Sequence, residues 1–162
     1  MSSLLQGLQS SCERLDIITV VKTSSFRYHR RVEFADTDLA GMVHFSRIAR
    51  YMEEAEHALW RAAGLSIVSA VHAMGFPRVA VAINFKAPLY FEDEFDIDVR
   101  ITEISSRSIS YSHAISRGDT AIATGTMTAV CVRKVDGKMQ ATEIPASILD
   151  RLAAGPGTPP TT

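Results

Sequence analysis

The longest regular pattern of apolar positions in the chain runs from Phe45 to Ala62. Phe45, Ile48, Ala49, Met52, Ala55, Leu59 and Ala62 recur at steps of three and four, the period of one helical stripe, and Arg47, Arg50, Glu53, Glu54 and Glu56 are assigned to the other faces. Gly64 stands where a residue at positive φ closes a last turn, so the helix is expected to reach about Ala63. At about 1.5 Å per residue it makes a rod of roughly 28 Å, long enough to cross a small sheet. Immediately before it, Asp36 and Asp38 set two carboxylates ahead of the helix N-terminus.

Elsewhere the period is two. Phe26, Tyr28, Val32 and Phe34 alternate with Arg27, His29, Arg31 and Glu33, which predicts a half-buried strand over 26–34 with Arg30 as the misfit. Val79, Val81, Ile83 and Phe85 predict a strand within 76–87, closed by Pro88. Further strands are expected over 95–104, 109–115 and 120–133, joined by turns at Ser105-Ser-Arg107 and Gly118-Asp119, with Asp136-Gly137 turning the chain again. The stretch 65–75 reads as a less regular, partly helical connection, and Ala146 to Ala153 as a short closing helix. Tight turns imply antiparallel pairing, and an amphipathic helix needs a sheet face to cover it. The expectation is an α+β domain over 25–153, a curved antiparallel five-stranded sheet wrapped around one long central helix. Residues 1–24 form an unassigned extension in which Ile17-Ile-Thr-Val-Val21 has strand character. The tail 154–162 is rich in proline and glycine and is expected to be disordered.

Composition bounds the chemistry. With 162 residues, 46% hydrophobic and 22% charged, the chain suits one globular domain. A net charge of −1 gives no general attraction to nucleic acid. The two cysteines, Cys12 and Cys131, lie far apart and read as reduced thiols, and no apolar run approaches the length of a membrane span, so a cytoplasmic protein is expected. No His, Cys or carboxylate set has metal spacing, and there is neither a phosphate-binding glycine loop nor a Gly-x-Ser-x-Gly elbow. Taken singly, Asp36 and Asp38 are common turn or cap residues, Gly41 a turn glycine and His44 a helix-end anchor. His57 reads as solvated and His113 as a core or interface histidine.

The stretch Glu33-Phe-Ala-Asp-Thr-Asp-Leu-Ala-Gly-Met-Val-His-Phe45 with Tyr51-Met-Glu-Glu-Ala55 resembles the hotdog-fold thioesterases of the 4-hydroxybenzoyl-CoA thioesterase type. Asn84-Phe-Lys-Ala-Pro88, Glu92-Asp-Glu94, Ala123-Thr-Gly125 and Glu143-Ile-Pro145 match further segments of that family, so the likeness covers roughly 26–150. The resemblance implies hydrolysis of an acyl- or aroyl-CoA thioester. It makes Asp38 the catalytic carboxylate, Gly41 the turn residue and the Phe45 backbone N–H the oxyanion donor. His44 is a further candidate for contacting substrate or water. The chain departs from the pattern at His44-Phe-Ser-Arg47, where related sequences often carry Tyr-His-Ala-Asn.

Such chemistry suits this position, because a helix N-terminus offers unpaired N–H groups and partial positive charge to a tetrahedral oxyanion. A carboxylate beside it attacks the carbonyl or takes a proton from water. Arg107, in the turn where the family carries a basic cluster, is the first candidate for the coenzyme A phosphates, followed by Lys86, Arg133 and Lys134. Coenzyme A would arrive as part of the substrate, and no separate cofactor is expected. A homodimer or homotetramer with the site at a subunit junction follows from the open sheet edge. The competing readings are a hotdog module that binds an acyl thioester without hydrolysing it and a hotdog hydratase or dehydratase.

Overall fold

The computed structural model describes residues 17–18, 24–68 and 74–154. The chain runs through β1 (Ile17–Ile18), β2 (Ser25–Arg31), a 3₁₀ turn (Phe34–Asp36), α1 (Phe45–Ala62), β3 (Met74–Gly75), β4 (Arg78–Phe85), β5 (Glu94–Ser105), β6 (Ser108–Arg117), β7 (Thr120–Val130), β8 (Val132–Val135), β9 (Lys138–Ala141) and α2 (Ala146–Ala154). The main sheet is antiparallel in the order β2, β5, β6, β7, β4, with β1 pairing the far end of β5 on the β2 side. β3, β8 and β9 form a smaller sheet. Apart from Ile17–Ile18, Ser24 and Ala154, the expectations for 1–24 and for 154–162 fall outside the described residues.

The core forms where the period-two and period-3.6 patterns meet. Phe95, Ile97, Val99 and Ile101 of β5, Ile109, Tyr111 and Ile115 of β6, and Ala123, Met127 and Ala129 of β7 point to one face. Tyr51, Met52, Ala55, Leu59 and Trp60 of α1 cover that face and are fully buried. The Trp60 indole N–H donates to the Tyr111 hydroxyl at 2.9 Å, so the buried indole donor finds its partner inside the core. Gly64, at φ +71, ends the helix, and Arg151 of α2 donates to its carbonyl at 2.8 Å. No helix of the described residues is long and apolar enough to cross a membrane.

Several expectations are corrected. Phe34 leaves the inward row of β2 and lies 77% exposed, because Glu33 and Asp36 cap each other's backbone and wind 34–36 into a 3₁₀ turn. Arg30, the misfit, does point inward, where acidic partners receive it. Glu56 is fully buried rather than on a solvent face, and His57 is half-buried. The last strand breaks at Cys131, whose N–H still bonds to the Arg107 carbonyl at 2.8 Å while its carbonyl accepts from Thr142 N–H at 2.9 Å, and from Val132 on the chain pairs with β9, so β7 and β8 join different sheets. Within the described part of 65–75 there is no helix; the chain re-enters as the two-residue β3.

Candidate active site

Asp38 opens a tight loop between Thr37 and Val43, which pair as an isolated antiparallel bridge. Its N–H donates to the Met42 carbonyl at 2.8 Å, and its carbonyl accepts from Gly41 N–H at 3.0 Å. Gly41 sits at φ +76, a conformation that a side chain would strain. One oxygen of the Asp38 side chain, Oδ1, accepts from Ala40 N–H at 2.8 Å and from Met42 N–H at 3.3 Å. Among the described residues nothing donates to Oδ2. The carboxylate is exposed, with one oxygen anchored and the other free of donors among the described residues.

Asp36, two residues earlier, is buried and serves the scaffold. Arg30 reaches its Oδ2 at 3.2 Å, the Arg47 Nε stands 3.7 Å from Oδ1, and Glu33 N–H donates at 3.3 Å. Burial alone would raise its pKa. The nearby Tyr51 hydroxyl, which stops short of full hydrogen-bond geometry, the Glu33 N–H and the Arg30 guanidinium more than offset that and hold the carboxyl below its ordinary range. Arg30 also pairs with Glu54 and lies over the Tyr51 ring at 4.5 Å. Arg47 donates to the Ala35 carbonyl at 3.1 Å, and the Asp36 carbonyl accepts from His44 N–H at 2.9 Å. Strand, turn and helix are thus pinned together just before Asp38.

α1 begins at Phe45 with His44 as its N-cap; the His44 Nδ1 accepts from Ser46 N–H and stands 2.8 Å from the Ser46 hydroxyl. Among the described residues no acceptor is in reach of the Phe45 N–H. The head of the helix borders an apolar cleft of about 340 Å³ walled by Met42, Val43, Phe45, Ile48, Phe85 and Ile122. Lys86 lies on the rim of that cleft. Arg107 and Arg133 are exposed at the other end of the sheet, where β6 begins and β8 leaves β7. The span from Ala123, which pairs with Phe85, to Val130, which pairs with Ser108, is roughly 23 Å at about 3.3 Å per residue. One chain therefore brings Asp38, Gly41, His44, Phe45 and Lys86 to one end and leaves Arg107 and Arg133 at the other.

Two groups escaped sequence reasoning. The Arg30–Asp36–Arg47 cluster had one signal, the misfit of Arg30 in its strand. The second joins Glu56 of α1 to His113 of β6, Nε2 to Oε1 at 3.2 Å, and to Arg78 of β4, which also reaches Glu53 at 3.4 Å. Its signal was that Glu56 falls on the apolar stripe of Met52, Ala55 and Leu59.

Residues 32–152 match the model of the thioesterase-like superfamily. A solved 1,4-dihydroxy-2-naphthoyl-CoA thioesterase from Synechocystis is 26% identical, with a TM-score of 0.72 over 80% of this chain and 96% of its own. A solved gentisyl-coenzyme A thioesterase is 30% identical, with a TM-score of 0.70 over 78% of this chain and 99% of its own. The 4-hydroxybenzoyl-CoA thioesterase of Pseudomonas sp. strain CBS-3, 22% identical, shares the fold with a TM-score of 0.73 over 79% of this chain and 99% of its own. The chain belongs to the thioesterase-like superfamily and has the hotdog fold of the 4-hydroxybenzoyl-CoA thioesterase type.

Proposed function

We propose that this chain hydrolyses an acyl- or aroyl-CoA thioester to the free acid and coenzyme A, with Asp38 as the catalytic carboxylate and the Phe45 N–H as oxyanion donor. The observation that carries this reading is the division of labour within Asp38: Oδ1 is fixed by Ala40 and Met42 while Oδ2 accepts no hydrogen bond among the described residues, on a loop that runs directly into the head of α1. The thioester carbonyl lies against the first helical N–H, where donors are oriented before charge develops. Oδ2 either adds to the carbonyl carbon, expelling the thiolate and leaving an anhydride that water opens, or takes a proton from the water that adds. Gly41 allows the turn that holds both N–H donors on Oδ1. Water is the only co-reactant, and no separate cofactor takes part.

The acyl group occupies the apolar cleft, whose Phe45 and Phe85 rings suit a flat substituent. The aromatic acyl groups named for the naphthoyl and gentisyl relatives support the same choice. Lys86 at the rim meets the thioester end of coenzyme A. Arg107 and Arg133 bind its phosphates across a subunit junction, since within one chain they lie at the other end of the sheet. The exposed apolar side chains of β4, Val79, Val81 and Phe85, are the surface on which a second copy packs, giving at least a homodimer.

A panel of aliphatic and aromatic acyl-CoAs assayed for free thiol tests the reading. Thiol release on an aromatic member supports it. Calorimetric binding without thiol release would make the protein a binding module, and a change in enoyl absorbance without thiol would make it a hydratase or dehydratase.

A further inference from the structure

The histidine at the head of α1 is an unusual cap. Asp, Asn, Ser and Thr accept helix N–H groups in every charge state they adopt near neutrality, whereas an imidazole accepts only through an unprotonated nitrogen. Here the accepting atom is the His44 Nδ1, which faces the Ser46 N–H at 3.4 Å and the Ser46 hydroxyl at 2.8 Å. A backbone N–H only donates, so the Ser46 N–H contact fits a lone pair on Nδ1 and the ring proton on Nε2, with the Ser46 hydroxyl donating to the same nitrogen. The residue is half-buried, its ring tilted 38° against Phe45 with centroids 4.4 Å apart, and the His44 N–H is tied to the Asp36 carbonyl at 2.9 Å. It is thus held from both sides, directly next to the residue whose N–H is the oxyanion donor.

We propose that His44 is a positioning residue that works only as the neutral Nε2–H tautomer, and that protonating it uncaps α1 and disengages the Phe45 N–H from the thioester. Protonation places a proton on Nδ1, turns the Ser46 N–H contact from attraction to repulsion, and adds a cation where the helix already carries partial positive charge. The charged groups nearest along the chain are Asp36 and Asp38 on the preceding loop and Arg47, which reaches Asp36, in the first turn of the helix; Lys86, on the segment after β4, borders the cleft that the neighbouring Phe45 lines. The inference rests on the hydrolase reading for its kinetic arm only.

The kinetic arm is the pH profile of kcat/KM for thiol release. The wild type is expected to lose kcat/KM on the acid side of its profile. His44→Asn keeps a capping oxygen that cannot take up a proton, so its acid limb is expected to lie at lower pH than that of the wild type. His44→Ala is expected to lose about tenfold at pH 8, the rate equivalent of a lost N-cap, with His44→Asn recovering most of it. The structural arm is two-bond ¹H–¹⁵N correlation spectroscopy of the wild-type imidazoles at pH 8, which assigns the proton to Nε2 or Nδ1 whether or not the protein turns over. A protonated Nδ1 overturns the proposal, as does a His44→Asn profile superimposable on wild type. Absence of thiol release from any acyl-CoA refutes the hydrolase reading and leaves the tautomer assignment to the spectrum.

Discussion

Asp36 and Asp38 stand two positions apart, yet one is buried among arginines and the other faces solvent with a single oxygen restrained. The difference yields a pH prediction. Because the folded state holds the Asp36 pKa below its unfolded value, the unfolded chain binds more protons there at low pH. The stabilisation is full above the unfolded carboxyl value of about 4 and is lost as pH falls through the folded one. Asp36→Asn is expected to lower stability at pH 7 and to flatten the decline of stability below about pH 4, measured by urea unfolding across pH; an unchanged acid decline would contradict the role. The residue types of the loop were legible in the sequence, and so was the likeness that singles out Asp38. Which aspartate is buried was not, because Arg30 and Arg47 approach Asp36 from elements on opposite sides of the loop.

α1 was the most legible element, since its stripe spans five turns and its stop signal, Gly64, adopts the positive φ expected of it. Glu56 was misread because a carboxylate on an apolar stripe is a local conflict that only His113 and Arg78, distant in sequence, resolve. Glu56→Ala is expected to destabilise by about 3–5 kcal/mol, as removal of one member of a buried charged group does, and Glu53→Ala, half exposed, by about 1 kcal/mol or less. Equal melting temperatures for the two variants would refute the assignment. A second element-scale test concerns the seat of the helix on β7. A Cβ at Gly125 would come within 2.6 Å of the Met52 Cε and 2.9 Å of the Ala82 carbonyl oxygen. Gly125→Ala is therefore expected to cost about 1–3 kcal/mol of overpacking. Adding Met52→Ala should not restore stability, because the Ala82 backbone contact remains and a cavity is created; full recovery in chemical denaturation would show that Met52 alone sets the fit.

At the scale of the molecule, the antiparallel run of β5, β6 and β7 and the wrapping of the sheet around one helix followed from hairpin-length turns and one amphipathic stripe, whereas the places of β4 beside β7 and of β2 beside β5 did not. The break at Cys131 and the small β3–β8–β9 sheet did not, because the alternation of 120–133 continues through the break while pairing with 138–142, beginning at the Thr142 N–H on the Cys131 carbonyl, takes the chain into the second sheet. The apolar side of β4 is exposed in a single chain, and Val81 is 50% exposed at the middle of that strand. Light scattering at micromolar concentration is expected to give the mass of at least a dimer, and Val81→Glu to shift it toward monomer with loss of thiol release. A monodisperse monomer that retains full activity would contradict a site completed by a second copy.

The central claim is that Asp38 performs the chemistry, and Asp38→Asn tests it most directly, since an amide oxygen still accepts the Ala40 and Met42 N–H groups and keeps the turn while removing the base and nucleophile. On the best acyl-CoA substrate, kcat/KM for thiol release is expected to fall by about 10²–10⁴ with melting temperature essentially unchanged. A variant that releases thiol within about twofold of the wild-type rate would contradict the account.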